Sequence, residues 1–191
     1  MLKHILTTLF VFSLFLAPSI FSQDDDMAAQ QQAWMDYMTP GPMHEMMAKS
    51  VGDWSATIKY WMDPSGEPTV TEGTSKVEMI LGGRYLKETS NSTVMGMPMD
   101  GISITGYDNA AKEFTNIWID NMGTGITVAK GTYDEATNTI TLLGSMIDPM
   151  TGKDTKYRET LHLIDNNHHV FEMFTDHDGQ EIKTMEVEYT R

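Results

Sequence analysis

The residues of this chain whose type and spacing could do chemistry are first of all its methionines, seventeen in 191 residues, in a sequence with no cysteine. Two clusters stand out, Met43-His44-Glu45-Met46-Met47 and Met95-Gly96-Met97-Pro98-Met99. Thioethers are soft ligands that select Cu(I), and the alternating Met95, Met97 and Met99 could hold that ion. The same side chains also fill irregular apolar space and make adaptable walls. In the second cluster the intervening Gly and Pro suit a hairpin loop at the mouth of a folded body. Packing or a lid is the preferred reading of both clusters.

The acidic turns and the late histidines are the next candidates. Asp176-x-Asp178-Gly179 begins like a calcium cage but lacks the later ligands and the distal Glu of an EF-hand loop. Asp-rich tight turns, in which Asp caps its own backbone, are the preferred explanation. Among His162, His168, His169 and His177 an axial haem ligand would have to be found. The last three fall in turn-like stretches. His162 shares a strand face with Arg158 and Thr160, opposite Leu161 and Leu163, and is expected to point outward. Neither haem nor any other cofactor is therefore expected. Enzyme signatures are missing: there is no Gly-x-Ser-x-Gly elbow, no His-Glu-x-x-His, no Gly-rich phosphate loop and no thiol. Glu186 and Glu188 lie on one strand face, opposite Met185, Val187 and Tyr189, and read as a solvated face rather than an acid/base pair.

The elements that must position these residues begin after a leader. Lys3, the apolar run Ile5 to Leu16 and a small-residue exit at Ala17 to Ser22 have the layout of a cleavable secretory signal. We expect residues 1–22 to be removed and the product to be exported, to a periplasm or the medium. Removing them takes one Lys and no acid, so a formal charge of −14 becomes −15 (12 basic against 27 acidic). So acidic a protein repels nucleic acid and anionic membrane. No later run is long enough to span a bilayer. About 169 residues suffice for one packed domain, expected to be a monomer. Without cysteine its stability rests on a core rather than on disulfides.

From Met27 to Met38, and again from Met43 to about Lys49, the residues favour helix, with Thr39-Pro40-Gly41-Pro42 breaking the two apart. Residues 23–50 thus form a helical segment, whose Met43, Met46 and Met47 share one face. From residue 51 the period changes to two. Trp54, Ala56, Ile58 and Tyr60 alternate with polar residues, and about ten such runs follow, separated by strong turn sets with no helix between them. Short, even spacing implies an antiparallel meander, and closing it removes two exposed edges. The expected fold is all-β, a closed antiparallel barrel of about ten strands over residues 51–191; a β-sandwich is the competitor. The run Arg84–Asn91 alternates poorly and could be irregular.

A bracket supports closure. Gly52-Asp53-Trp54 opens the strand region and Tyr189-Thr190-Arg191 ends the chain. The indole of Trp54 would fill the barrel floor with the Arg191 guanidinium over its face, a contact of about 0.5–2 kcal/mol. Together with Leu81-Gly82-Gly83-Arg84-Tyr85-Leu86, Gly106-Tyr107-Asp108, Trp118 and Gly131, this set resembles a bacterial secreted family of unknown function. Its members are similar to calycins, the superfamily of lipocalins, fatty-acid-binding proteins and nitrobindins. The resemblance implies a calycin-like barrel and brings no activity with it.

The expected inward set is Trp54, Ile58, Tyr60, Met79, Ile104, Trp118, Leu142, Met146, Met185, Val187 and Tyr189, with Arg84 and Glu159 as polar ends of the interior. Gly52, Trp54 and Arg191 would seal one end. The Met-rich helix and the Met95–Met99 loop would then lie at the other. A barrel of ten strands has more interior than these side chains need fill. A small hydrophobic or amphiphilic ligand is the expected partner, with Tyr60, Met79, Arg84, Trp118, Met146, Glu159 and Tyr189 contacting it. Copper handling by the methionines, and a packed structural barrel without ligand, are the alternatives.

Overall fold

The alternation that begins at Gly52 becomes ten strands in the computed structural model, which describes residues 22–177 and 179–191. The expected leader falls outside these residues except for Ser22, and Asp178 of the acidic turn also lies outside them. In chain order the elements are α1 (Ser22–Met38), α2 (Pro42–Ala48), β1 (Gly52–Tyr60), β2 (Thr69–Ile80), β3 (Tyr85–Val94), β4 (Met97–Asp108), β5 (Glu113–Asp120), β6 (Thr127–Asp134), β7 (Thr139–Ile147), β8 (Asp154–Asp165), β9 (His168–His177) and β10 (Gln180–Thr190). Every strand is antiparallel to its neighbours in sequence, and β1 pairs with β10 from Ser55↔Thr190 to Tyr60↔Met185, which closes the barrel. The meander leaves no free edge. The run Arg84–Asn91, doubtful by alternation, is regular strand from Tyr85, where β3 begins and pairs with β2 and β4, and only Arg84 lies in the preceding turn.

Two compact units divide the chain, one ending at Asp36 and one from Tyr37 to Arg191. In the first, α1 spreads its apolar residues around the helix rather than gathering them on one face, and Gln32 donates to Asp36 (2.8 Å) one turn on. Among the described residues no helix is long and apolar enough to cross a membrane.

Within the second unit, up-and-down strands put the β1–β2, β3–β4, β5–β6, β7–β8 and β9–β10 turns at one end of the barrel. The other four turns, α2 and the C-terminus lie at the opposite end. There α2 acts as a plug. Met47 is buried with Phe114, Ala129, Ile140, Leu142 and Tyr157, and Met43 and Met46 pack against the same cluster. Pro42 suits the first turn, where its missing N–H costs nothing. The Gly41 backbone N–H donates to His44 Nδ1 (3.1 Å), and the buried His44 ring meets Tyr107 edge-on. Burial pushes the pKa of His44 down.

This placement corrects the expectation that the Met-rich helix faces the bracket from the far end. Both sit at the same end. Trp54 is buried, the Arg191 guanidinium lies 4.3 Å from its ring centroid, and Arg191 also donates to the carbonyls of Val51 (2.6 Å), Lys49 (2.9 Å) and Asn166. Gly52 is required here: its φ of +144° is unfavourable to side chains, and a Cβ would stand 2.8 Å from Arg191 Nη1. The tail and the plug together seal this floor.

Candidate functional site

The register fixes which residues face the interior. Trp54, Ala56, Ile58 and Tyr60 of β1 pair through β10 with Tyr189, Val187 and Met185, and through β2 with Ser75, Gly73 and Thr71. Carrying this parity around the wall brings Leu86, Glu88, Ser90 and Ser92 inward on β3, and Met99, Ser103 and Thr105 on β4. Phe114, Asn116 and Trp118 follow on β5, and Leu142 and Met146 on β7. Tyr157, Glu159 and Leu161 face in on β8, and His169, Phe171 and Met173 on β9.

Towards the floor this surface is apolar, and above the floor one side of it is polar. Glu88 accepts hydrogen bonds from Ser75 and from Ser90 (2.9 Å), and the two serine hydroxyls meet at 2.9 Å. The Tyr189 hydroxyl joins the same carboxylate; burial and then the Glu88 charge push its pKa well above 10.0. Asn116 donates to Ser103 (2.6 Å) and Thr105 (2.8 Å), and the Trp118 indole N–H donates to Asp120 (2.6 Å). These groups satisfy one another, as enclosed polar groups must.

Glu159 is different. Its neighbours across the sheet are Leu142 and Met173, and among the described residues its carboxyl has no hydrogen-bond partner and no cation. Desolvation alone raises its pKa from 4.5 to about 7. Tyr157, two residues earlier on the same face, is 3% exposed with its hydroxyl lacking a full hydrogen bond, Thr127 being a weak partner. Burial, and next the Glu159 charge, push the pKa of that phenol up.

Part of the inner wall also stays accessible. Tyr60, Glu88, Ser90, Asn116, Trp118, Met146, Glu159, Met173, Met185 and Tyr189 all point inward, yet each keeps accessible surface as a half-buried residue. Glu159 and Tyr189 are at the same time enclosed deeply enough for desolvation to dominate their ionisation. A wall residue that is desolvated yet still accessible is incompletely covered by its neighbours in the barrel. An open trough of about 630 Å³ also crosses the outside of β1–β3, walled by solvated groups such as Lys76 and the Lys87–Glu78 pair. It is an exterior surface and lacks the enclosure that apolar binding needs.

Of the residues expected at the ligand site, Tyr60, Met79, Trp118, Met146, Glu159 and Tyr189 all face this interior. Arg84 does not. It is exposed in the β2–β3 turn at the sealed end, where it donates to the Met38 carbonyl (2.6 Å). Ile104, expected inside, pairs with Lys87 and Ile117 on the outer face. His169, assigned to a turn, is buried on β9 with its ring 4.5 Å from that of Trp54, and burial followed by the Arg191 charge lowers its pKa. His162 is exposed on the outer face. Glu186, expected in a solvated row, pairs outside with Lys59 and Lys183, both at 2.7 Å. Met95 is exposed in the β3–β4 turn at the open end, Met97 is exposed at the lip, and Met99 is buried facing inward. The sequence reading missed Glu88, Ser90, Ser103, Asn116 and Tyr157. Their parity with Leu86, Phe114 and Leu161 is the signal that could have found them.

Comparison with known proteins gives a fold relative and a family. Rv2717c from M. tuberculosis is similar in structure, with a TM-score of 0.59 at 15% identity, covering 80% of this chain and 99% of that one. A protein with unknown function from the DUF3598 family of Nostoc punctiforme aligns at a TM-score of 0.25 and 9% identity, over 80% of this chain and all of that one. No curated protein matches at a significant level. Residues 39–191, which take in the plug, the barrel and the tail, match the family model described as a protein of unknown function, DUF1579, and the chain belongs to that family.

Proposed function

We propose that this is an exported, calycin-like carrier or sensor that binds one small amphiphilic molecule inside the barrel. The observation that carries the reading is the unpartnered Glu159 carboxyl on the wall of an enclosed, incompletely filled interior. A packed structural barrel would place an apolar side chain there, because an enclosed carboxyl without a partner costs stability. Met79, Met146, Met173 and Met185 supply adaptable apolar wall, and Trp118 and Tyr60 supply flat surfaces with a polar edge. The floor is sealed by α2, so entry is from the end where the Met95–Met99 hairpin stands.

Titration with N-phenyl-1-naphthylamine, a neutral probe that brightens in apolar surroundings, tests this. Saturable one-to-one binding is expected, with loss in a Met146→Trp variant whose circular dichroism matches the parent. Absence of saturable binding, or full binding by Met146→Trp, would overturn it.

A further inference from the structure

We infer that the ligand carries a protonated amine or another cationic head, and that Glu159 is the group that pairs with it. This rests on the proposal that the interior takes a ligand, and adds the chemical class of that ligand. Every inward position from β1 to β10 follows from the register, and none is Lys or Arg. The titratable side chains on the inner face above the floor are Tyr60 from β1, Glu88 from β3, Asp120 from β5, Tyr157 and Glu159 from β8, Tyr189 from β10 and, exposed at the rim of the open end, His177 from β9. Apart from His177 at the rim, all of these are neutral or anionic. The histidines at the sealed end, His44 and His169, are held neutral by burial.

Of the three carboxylates, two already have donors. Glu88 takes Ser75, Ser90 and Tyr189, and Asp120 takes the Trp118 indole and the backbone N–H groups of Met122 (2.9 Å) and Gly123 (3.1 Å). Glu159 has none, and the buried Tyr157 hydroxyl beside it has only its weak contact with Thr127. An anionic head, such as a fatty acid, would meet three carboxylates here and no Lys or Arg, since the hydroxyl, amide and indole groups of this wall already donate to one another or to carboxylates. A cationic head instead supplies the opposite charge and the N–H donors that Glu159 lacks, while its chain lies along Met146, Met173 and Leu142.

The test uses decylamine, decanol and decanoate below their micelle concentrations, each displacing N-phenyl-1-naphthylamine from the full-length mature protein at neutral pH. Decylamine should bind about tenfold or more tightly than decanol, and decanoate weakest. Glu159→Gln should reduce the amine preference to near unity while leaving decanol binding intact. Glu135→Gln, an exposed carboxylate in the β6–β7 turn, should leave the preference unchanged and so controls for the general attraction of an acidic surface. Equal binding of decylamine and decanol would overturn the inference while leaving the interior site standing. A preference that survives Glu159→Gln would also overturn it, by assigning the effect to surface charge. Failure of all three to displace the probe would remove the interior site itself.

Discussion

Glu159 and Arg191 act on the stability of the fold in opposite ways, one as an unpaired charge inside the barrel and the other as a clamp on its floor. Burial raises the folded-state pKa of Glu159 from 4.5 to about 7, so the folded protein holds this proton more tightly than the unfolded chain does. Its stabilising contribution is full below about pH 4.5 and is lost as pH rises through about 7, a total of about 3 kcal/mol. Glu186 has the opposite sign: hydrogen bonds from Lys183 and Lys59 lower its pKa, so its contribution is present at neutral pH and lost in acid. Urea denaturation of the parent and Glu159→Gln across this range separates the two, because the variant should gain stability on the parent only on the alkaline side. Constant difference with pH would mean that Glu159 is solvated. Arg191→Ala should cost about 1–3 kcal/mol, since it removes the contact with Trp54 and leaves several carbonyls unpaired. Arg191→Lys should recover only part of this, because an ammonium cannot lie flat on the indole and serve the same carbonyls.

At the scale of elements, the helix α2 and the strand β3 show what the sequence could and could not reveal. Met47→Ala should destabilise the protein by about 2–4 kcal/mol in the same assay, because its side chain fills the floor of the barrel. On β4, Gly101 leaves the room that the Trp118 ring occupies: an added Cβ would stand 2.3 Å from it. Gly101→Ala should therefore shift Trp118, seen as changed tryptophan emission, and cost about 1–3 kcal/mol. The strand count and barrel closure were legible because alternation and turn residues act locally, and because Gly52 and Arg191 mark one seam. The end at which α2 sits was legible in principle, since the three residues between Ala48 and Gly52 reach only about 10 Å and cannot cross a barrel. The polar interior was not. Glu88 and Ser90 on β3 look like a solvated strand face, and only their pairing with Val77 and Ser75 turns them inward. His169 was hidden in the same way, by the turn-like Asp165-Asn166-Asn167 before it.

At the scale of the whole molecule, a barrel with a net charge of −14 keeps its cations outside, in pairs such as Lys59–Glu186, Lys183–Glu172 and Arg158–Glu181. Its inner wall keeps carboxyls, hydroxyls and thioethers around a space closed at one end by α2, Trp54 and Arg191. On the proposed reading such a body would gain stability from an occupant, because a bound ligand would pair the group that folding leaves unpaired. The interior is therefore expected to hold a discrete small molecule when the protein is made in its own cells. Native mass spectrometry of protein isolated from those cells, without detergent, reads this directly. The expected spectrum shows the mature chain carrying one reproducible small mass, which is released on denaturation. A bare polypeptide mass in repeated preparations, together with no uptake of added decylamine or decanol, would contradict the claim.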